Sequence, residues 1–88
     1  MEVTFDPAKD VENFRKHGIF LVRANDFDFD SARLDIDDSQ DYGEDRWNLI
    51  GWLDAQLYML TVVFQETSTR AISLRKATVQ ERKQYAQD

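Results

Sequence analysis

Apolar and polar residues follow two different periods along the chain, and each period predicts one kind of element. Five short segments have the patterns of strands: some are runs of aliphatic and aromatic residues, and others alternate apolar with polar positions. These predicted strands are Val3–Phe5, Arg33–Asp37, Arg46–Leu53, Leu57–Phe64 and Arg70–Arg75. Only Asp54, Ala55 and Gln56 separate the third strand from the fourth, which is a connection of hairpin length.

A helix is predicted between the first and second strands. Asp6 is a typical N-cap, and Pro7 suits the first helical position, where its missing N–H costs nothing. The run Lys16-His17-Gly18 is typical of a helix end, because its side chains are cationic and glycine accepts the left-handed cap. The apolar positions that share one face of this helix are Ala8, Val11 and Phe14.

Two further helices are predicted from spacing and capping. The positions of Phe20, Ala24 and Phe27 indicate a short second helix. Thr78 and Glu81 form a capping box that begins a final helix, which ends at about Gln87. This order of elements predicts an α+β fold, in which a small antiparallel meander has the N-terminal helices on one face and carries a C-terminal helix. The 88 residues contain no linker-like stretch and are interpreted as a single domain, 1–88.

The pleat of the last strand predicts which side chains lie on each face of the sheet. Ile72 and Leu74 alternate with Ser73 and Arg75, so the two pairs lie on opposite faces. We expect Ile72 and Leu74 to be buried and Arg75 to be partly exposed. The residues expected in the core with them are Val62 and Phe64.

The composition excludes several kinds of site. There is no cysteine and only one histidine, which excludes a disulfide framework, a thiolate metal site, a cysteine nucleophile and a multi-histidine zinc site. The alternation of acidic residues over 26–30 resembles the opening of a calcium loop. That match fails at Ser31, Leu34 and Asp37, so a solvated acidic loop is the favoured interpretation. Without a signal peptide or an apolar span, the expectation is a cytosolic protein that needs no metal or other cofactor and does not contact a membrane.

Charge is distributed unevenly along the chain. The formal net charge is −6, but nine acidic residues and a single arginine fall within 26–45. Within 70–83 there are five basic residues and one acidic residue. The overall acidity therefore does not exclude a nucleic-acid partner, which needs only a local positive surface.

Several polar side chains are predicted to meet on one face of the sheet and the last helix. Arg46 and Asn48 share a strand face, as Ser73 and Arg75 do, and on the helix Arg82 lies three positions before a tyrosine, Tyr85. Guanidinium groups bind phosphate through two parallel hydrogen bonds, so this face is a candidate phosphate site. The alternative is that these residues are ordinary solvated surface charges.

The order of these motifs resembles the BrnT family of toxins from type II toxin–antitoxin pairs. In the first half, the resemblance is carried by Phe5-Asp6-Pro7-Ala8-Lys9, Asn13 and Lys16-His17-Gly18. The matching blocks of the second half are Gly43-Glu44-Asp45-Arg46, Ile50-Gly51, Leu60–Phe64, the run Arg70–Ala77, Glu81-Arg82 and Tyr85. The resemblance covers Phe5 to Tyr85 with the order and spacing of the blocks preserved.

The resemblance implies a RelE-like fold and a metal-independent ribonuclease that inhibits translation. It implies neutralisation by a BrnA-like antitoxin with a DNA-binding ribbon-helix-helix domain, in a toxin–antitoxin hetero-oligomer. The implied reaction is attack of an RNA 2′-oxygen on the adjacent phosphate, with cations stabilising the charge that develops. A non-catalytic module that uses the same fold to bind a ribbon-helix-helix partner is the alternative.

The resemblance also implies roles for individual residues. Arg46 and Arg75 would be the phosphate-stabilising pair, and Tyr85 would stack on a base or transfer a proton. Glu44 would orient an arginine or act as a base, and His17 would reach the edge of the site. The residues implied to bind RNA are Lys16, Arg70, Ser73, Lys76 and Arg82.

Structural alternatives remain open for several of these positions. Lys16 and His17 are also typical charge partners of a helix C-terminus, and Ser73 also suits a small position on a pleat. The residues whose structural role is favoured are Glu81 as a capping partner and Trp47 and Trp52 as core residues.

Overall fold

The computed structural model describes residues 2–87 and contains five strands, two α-helices and one 3₁₀ helix. The strands are β1 (Glu2–Thr4), β2 (Arg33–Asp37), β3 (Arg46–Leu53), β4 (Gln56–Phe64) and β5 (Ser68–Lys76). The helices are α1 (Pro7–His17), the 3₁₀ helix Leu21–Asp26, and α2 (Val79–Ala86). The predicted α+β class is confirmed, and each predicted element is present within a few residues of its expected bounds.

The five strands form one sheet in the order β1-β5-β4-β3-β2. Strands β2 to β5 are the expected antiparallel meander. Strand β1 instead pairs in parallel with the first part of β5, from Ser68 to Arg70. This parallel pair was not predicted, because it joins segments that are far apart in the chain and leaves no local pattern.

Helix α1 has the predicted caps but buries an unexpected face. The Asp6 carboxylate accepts from the Ala8 N–H at 2.9 Å, and Gly18 adopts φ 74° while its N–H donates to Phe14 at 2.8 Å. The apolar positions expected to face the core are exposed, with Val11 at 63% and Phe14 at 47%. The buried residue of this helix is Asn13.

Asn13 hydrogen-bonds to the free edge of β5 beyond the end of β1. Its Nδ2 donates to the carbonyl of Leu74 at 2.7 Å and to that of Ile19 at 2.9 Å, and its Oδ1 accepts from the Leu74 N–H at 3.0 Å. A side-chain amide carries one acceptor and two donors, so all three functions are matched here. The amide thereby replaces a neighbouring strand at Leu74, which explains why a helix can lie beside this edge.

The larger core lies between the sheet and the 3₁₀ helix. Its members include Leu49, Leu60 and Leu74 from the sheet and Leu21 and Ala24 from the 3₁₀ helix. A smaller cluster of Ile50, Leu57 and Ala77 lies on the other face, with Met59 and Tyr85 packed against it. The predicted second helix is confirmed as a 3₁₀ helix, with Ala24 and Phe27 buried but Phe20 exposed.

A bulge in β5 changes the face on which Ile72 lies. Ser73 pairs with Thr61 and Ala71 pairs with Val62, so Ile72 has no counterpart on β4. As a result, Ala71 and Leu74 both face the larger core, whereas Ile72 is only half-buried. The expected burial of Leu74 and Val62 is confirmed, but that of Ile72 is wrong. The expected burial of Phe64 is also wrong, since this side chain lies at the end of β4 and is 40% exposed.

Helix α2 begins at the predicted capping box. Thr78 Oγ1 accepts from the Glu81 N–H at 3.1 Å, and the Glu81 carboxylate accepts from the Thr78 N–H at 2.9 Å. Within residues 2–87, no helix has the length and apolar character that crossing a membrane requires.

Replacement of Asn13 by alanine is expected to destabilise the protein by about 2–4 kcal/mol. The change leaves the buried Leu74 N–H and two carbonyls without their partner, and each buried unsatisfied group costs about 1–3 kcal/mol before water re-enters. Urea denaturation of Asn13→Ala measures this loss. The control Asn25→Ala removes an exposed amide that binds only the Val22 carbonyl, and a change within about 1 kcal/mol is expected. Equal effects of the two variants would contradict the role assigned to Asn13.

Candidate functional site

The face of the sheet opposite the larger core carries most of the polar side chains predicted to be functional. The strand register assigns to it Asp35 and Asp37 of β2, Arg46 and Asn48 of β3, and Arg70, Ser73 and Arg75 of β5. We call this surface the polar face. Its residues fall into three groups, two beside α1 and one beneath α2.

The first group surrounds a groove of about 240 Å³ near the start of α1. The groove is lined by the basic side chains of Lys9, Arg46 and Arg70 and by one acidic residue, Asp6, whose carboxylate caps α1. Arg70 Nη2 donates to Glu44 Oε2 at 2.5 Å, so this guanidinium is already held by a carboxylate. We call this space the cationic groove.

Arg46 is held by an aromatic ring rather than by a carboxylate. Its guanidinium carbon lies 3.9 Å from the centroid of the Tyr42 ring, which is a close cation–π contact. Its Nε is buried and has no acceptor among the described residues. Arg46 therefore has a buried N–H whose hydrogen-bonding capacity no described residue meets.

Hydrogen bonds fix the Tyr42 ring beside Arg46. The Tyr42 hydroxyl donates to Asp37 at 3.3 Å, and the Ser39 hydroxyl donates to the same carboxylate at 2.6 Å. The bond from Ser39 is the largest cause of a lowered pKa of Asp37, and the charge of Arg46 contributes in the same direction. Asp37 thus stays ionised and is the anchor of Tyr42.

The second group lies along α1 next to the cationic groove. A recess of about 220 Å³ is lined by Lys9, Lys16 and His17 from the helix and by Ser73 from β5. Lys9 lines both spaces, so the two form a continuous basic path along the helix. Glu12 offsets part of this charge, since its carboxylate lies 3.5 Å from Lys16 and also binds Arg15.

The third group lies beneath α2 and is already internally paired. Arg75 donates to both oxygens of Glu81, at 2.9 and 3.0 Å. The Tyr85 hydroxyl donates to the carbonyl of Ser31 at 2.9 Å, and its ring meets Trp52 edge-on at 6.0 Å. These contacts attach α2 to the sheet, and Arg75 remains partly exposed, as expected, at 35%.

Two of the residues predicted to bind RNA, Lys76 and Arg82, lie away from both basic spaces. Lys76 pairs with Tyr58, which faces the larger core, so its side chain starts from the face opposite Arg75. On α2, Glu81 and Tyr85 are the half-buried residues, while Arg82 is exposed. The structure therefore groups neither Lys76 nor Arg82 with the cationic groove.

The register also separates Arg46 and Arg75, the two arginines that the family resemblance implied as a pair. Arg46 and Arg70 share a row across the sheet, each beside Val63 of β4, so their Cα atoms lie about 10 Å apart at ordinary strand spacing. Arg75 pairs with Met59, four residues further along β4, which puts it about 16 Å from Arg46. Arg46 thus lies with Arg70 and Lys9, and Arg75 lies with Glu81 and Tyr85.

Sequence analysis missed Lys9 and Tyr42 as members of this site. Lys9, Asn13 and Lys16 follow the four-residue and three-residue spacing of one helix face, and that spacing was a usable signal for Lys9. Tyr42 lies in an irregular acidic segment whose path no periodicity predicts. Within residues 2–87, the His, Asp and Glu side chains form no cluster of three suited to a metal ion.

The Arg75–Glu81 pair is expected to make stability depend on pH in acid. The hydrogen bond from Arg75 is the largest cause of a lowered pKa of Glu81, whose ordinary value is 4.5. A lowered folded-state pKa means that the pair's contribution is complete above about pH 4.5 and is lost as the pH falls through the lower value.

The variant Glu81→Gln isolates this effect, because glutamine retains the capping-box geometry but not the charge. It is expected to be about 1 kcal/mol less stable than the parent protein at pH 7, after allowance for solvent exposure, with the difference shrinking towards pH 3. Urea denaturation across this range measures the difference, and the exposed Glu66→Gln change is the control. A difference that stays constant with pH would contradict the assignment.

Comparison with known families identifies the chain. No curated protein sequence gives a significant match. The family model described as the ribonuclease toxin BrnT of a type II toxin–antitoxin system matches residues 5–81, which is most of the 88-residue chain. The matched region contains α1, both basic spaces beside it and the whole sheet from β2 to β5. The chain therefore belongs to the BrnT family of ribonuclease toxins.

Proposed function

We propose that this chain is a metal-independent endoribonuclease that holds the scissile RNA phosphate in the cationic groove. The observation that carries the proposal is the state of Arg46, which borders the groove with Lys9 and Arg70 and has a buried N–H without an acceptor. Three cations on one recess match the charge that develops on a phosphate during cleavage.

The partners of the three arginines favour Arg46 as the principal phosphate ligand. Arg70 is bound to Glu44 and Arg75 is bound through both nitrogens to Glu81. A phosphate that takes either of these must displace or share a carboxylate. An unsatisfied buried donor costs about 1–3 kcal/mol, so an oxygen that accepts from Arg46 removes a cost instead of competing with an anion.

The proposed reaction is an intramolecular transfer at phosphorus. The 2′-oxygen of the ribose attacks the adjacent phosphate, the bond from phosphorus to the 5′-oxygen breaks, and the products are a 2′,3′-cyclic phosphate and a 5′-hydroxyl. The proton of the 2′-hydroxyl passes to a base, and a second proton is delivered to the departing 5′-oxygen.

The neighbours of the groove supply candidates for these proton transfers. His17 lines the adjoining recess and is the chain's only histidine, the side chain that most often transfers protons in general acid–base catalysis. Glu44 is paired with Arg70 and is a candidate base, while Lys16 and Ser73 line the adjoining recess, where a neighbouring nucleotide would lie. Tyr85 and Arg75 act from beneath α2, where they position the helix.

The distribution of charge favours one path for RNA across the surface. The end of β2 and the segment after it carry Asp37, Asp38 and Asp41 and border the polar face on one side. Repulsion from these carboxylates favours a path along α1 and β5, where Lys9 and Lys16 lie.

The biological role follows from this activity. The family implies an antitoxin partner, and we propose that it is a BrnA-like protein with a DNA-binding ribbon-helix-helix domain. Cleavage of cellular RNA in the cytoplasm would inhibit translation, and the antitoxin would neutralise the toxin as a hetero-oligomer.

Replacement of Arg46 by alanine is expected to lower the rate of RNA cleavage by about 10²–10³-fold in the presence of EDTA, by analogy with the loss of one preorganised donor to a developing anion. Arg46→Lys is expected to restore only part of the rate, because an ammonium group cannot bind two phosphate oxygens in the fixed guanidinium geometry. The assay follows a defined oligoribonucleotide by gel, and the cyclic phosphate product is identified by mass.

Two controls separate the mechanism from its alternatives. The exposed cation change Arg82→Ala is expected to retain activity within about threefold, because a screened surface charge contributes little. A substrate with a 2′-deoxy sugar at the cleaved position is expected to remain intact. Loss of cleavage on adding EDTA, or a fully active Arg46→Ala protein, would contradict this mechanism. A folded parent protein that arrests growth without cleaving RNA would favour the non-catalytic binding module.

A further inference from the structure

We propose that the outer edge of β2 binds an extended segment of the antitoxin as a sixth strand, and that this segment alternates apolar with basic residues. The inference rests on the antitoxin partner that the family implies. It concerns a different surface from the cationic groove, which lies on the polar face between β3, β5 and α1.

The first argument is an exposed apolar surface beside this edge. Leu34 and Ile36 lie on the larger-core face of β2 but are 50% and 47% exposed. Ile36 pairs with Trp47 on β3, and the Trp47 ring lies 6.4 Å from the ring of the exposed Phe64. We call Leu34, Ile36, Trp47 and Phe64 the edge patch. The helices that cover the rest of this face leave the edge patch open, and contiguous apolar surface of this kind is typical of a binding site.

The second argument is the outer edge of β2, which no described strand covers. Within the described chain, β2 pairs with β3 on one side and is the last strand of the sheet on the other. A strand edge next to apolar side chains is a template for strand addition by another chain. Backbone bonds supply affinity in that mode, and alternate side chains supply specificity.

The third argument is charge, which selects the occupant. Along β2 the side chains alternate between the edge patch and the polar face, where Asp35 and Asp37 lie. An added strand continues both faces, so its residues meet apolar neighbours on one side and carboxylates on the other. A second copy of this chain, paired antiparallel about Asp35, would bring the two Asp35 carboxylates against each other, and like charges that face each other across strands are destabilising. Arg33 lies on the same face and would oppose Asp37 in that pair, so the repulsion at Asp35 is what disfavours the second copy. A basic and apolar segment of a different protein is complementary.

The position of this edge explains why docking there need not disturb the RNA site. An added strand would lie two strand spacings, about 10 Å, from β3, which carries Arg46, and four spacings, about 19 Å, from β5, which carries Arg70. The edge therefore anchors the antitoxin, and another part of the antitoxin is left to cover the groove.

The test measures hydrogen exchange and affinity with the purified product of the gene adjacent to this toxin. The backbone amides of Arg33–Asp37 are expected to exchange more slowly in the complex than in the free chain. The variant Ile36→Lys is expected to weaken binding by at least about 30-fold, the effect of losing one dominant contact. Lysine is a residue that natural edge strands use to block pairing, so the fold is expected to persist, and a thermal melt checks this.

The matched control is Val11→Lys, which places the same charge on the other exposed apolar surface, on α1. It is expected to change the affinity by less than about twofold, because residues outside an interface contribute little to the binding free energy. Both variants lie outside the cationic groove and are expected to cleave RNA at the parental rate. A parent protein that binds as expected but cleaves no RNA would refute the proposed function and leave this inference standing.

The following results would overturn the inference. Unchanged exchange of Arg33–Asp37 on binding would exclude strand addition, and loss of affinity in Val11→Lys alone would place the partner on α1. Protection of β2 that rises with the concentration of the free chain would assign the edge to a second copy. Failure of the adjacent gene's product to bind would exclude it as the occupant.

Discussion

The hydrogen bonds between the Asn13 amide and the backbone of Leu74 determine where the basic side chains of α1 lie. Strand β1 covers β5 only up to Arg70, and Asn13 takes the place of a neighbouring strand beyond that point. This attachment brings the polar side of α1, rather than its apolar side, to the sheet. Lys9 and Lys16 lie one helical turn before and after Asn13, so the same bonds hold them beside the polar face.

Carboxylates determine which cations of that face can receive a phosphate. Glu81 occupies both nitrogens of Arg75 and at the same time caps α2, so this pair stabilises the fold. Glu44 restrains Arg70 in a similar way. Arg46 is fixed by the Tyr42 ring, which positions a guanidinium without neutralising it. A folded protein with net charge −6 thus retains one recess of positive character.

Local patterns predicted the elements well, and they failed where distant parts of the chain meet. The caps of both helices and the bounds of β2 and β3 follow from short sequence signals such as Asp6-Pro7 and the Thr78–Glu81 box. The parallel pairing of β1, the bulge at Ile72 and the burial of Asn13 depend on contacts between separate segments. The family resemblance implied Arg46 and Arg75 as a pair, and only the strand register shows how far apart they lie. Strand register puts them two strands and four residues apart.

The central claim, that the scissile phosphate lies against Arg46 in the cationic groove, can be tested directly by NMR. A dinucleotide with a 2′-deoxy sugar at the attacking position presents the phosphate but cannot be cleaved. During its titration into ¹⁵N-labelled protein, the Nε–H resonance of Arg46 is expected to shift most, that of Arg70 less, and that of Arg75 to stay in place. A shift of Arg75 with Arg46 unmoved would contradict the account and place the phosphate beneath α2.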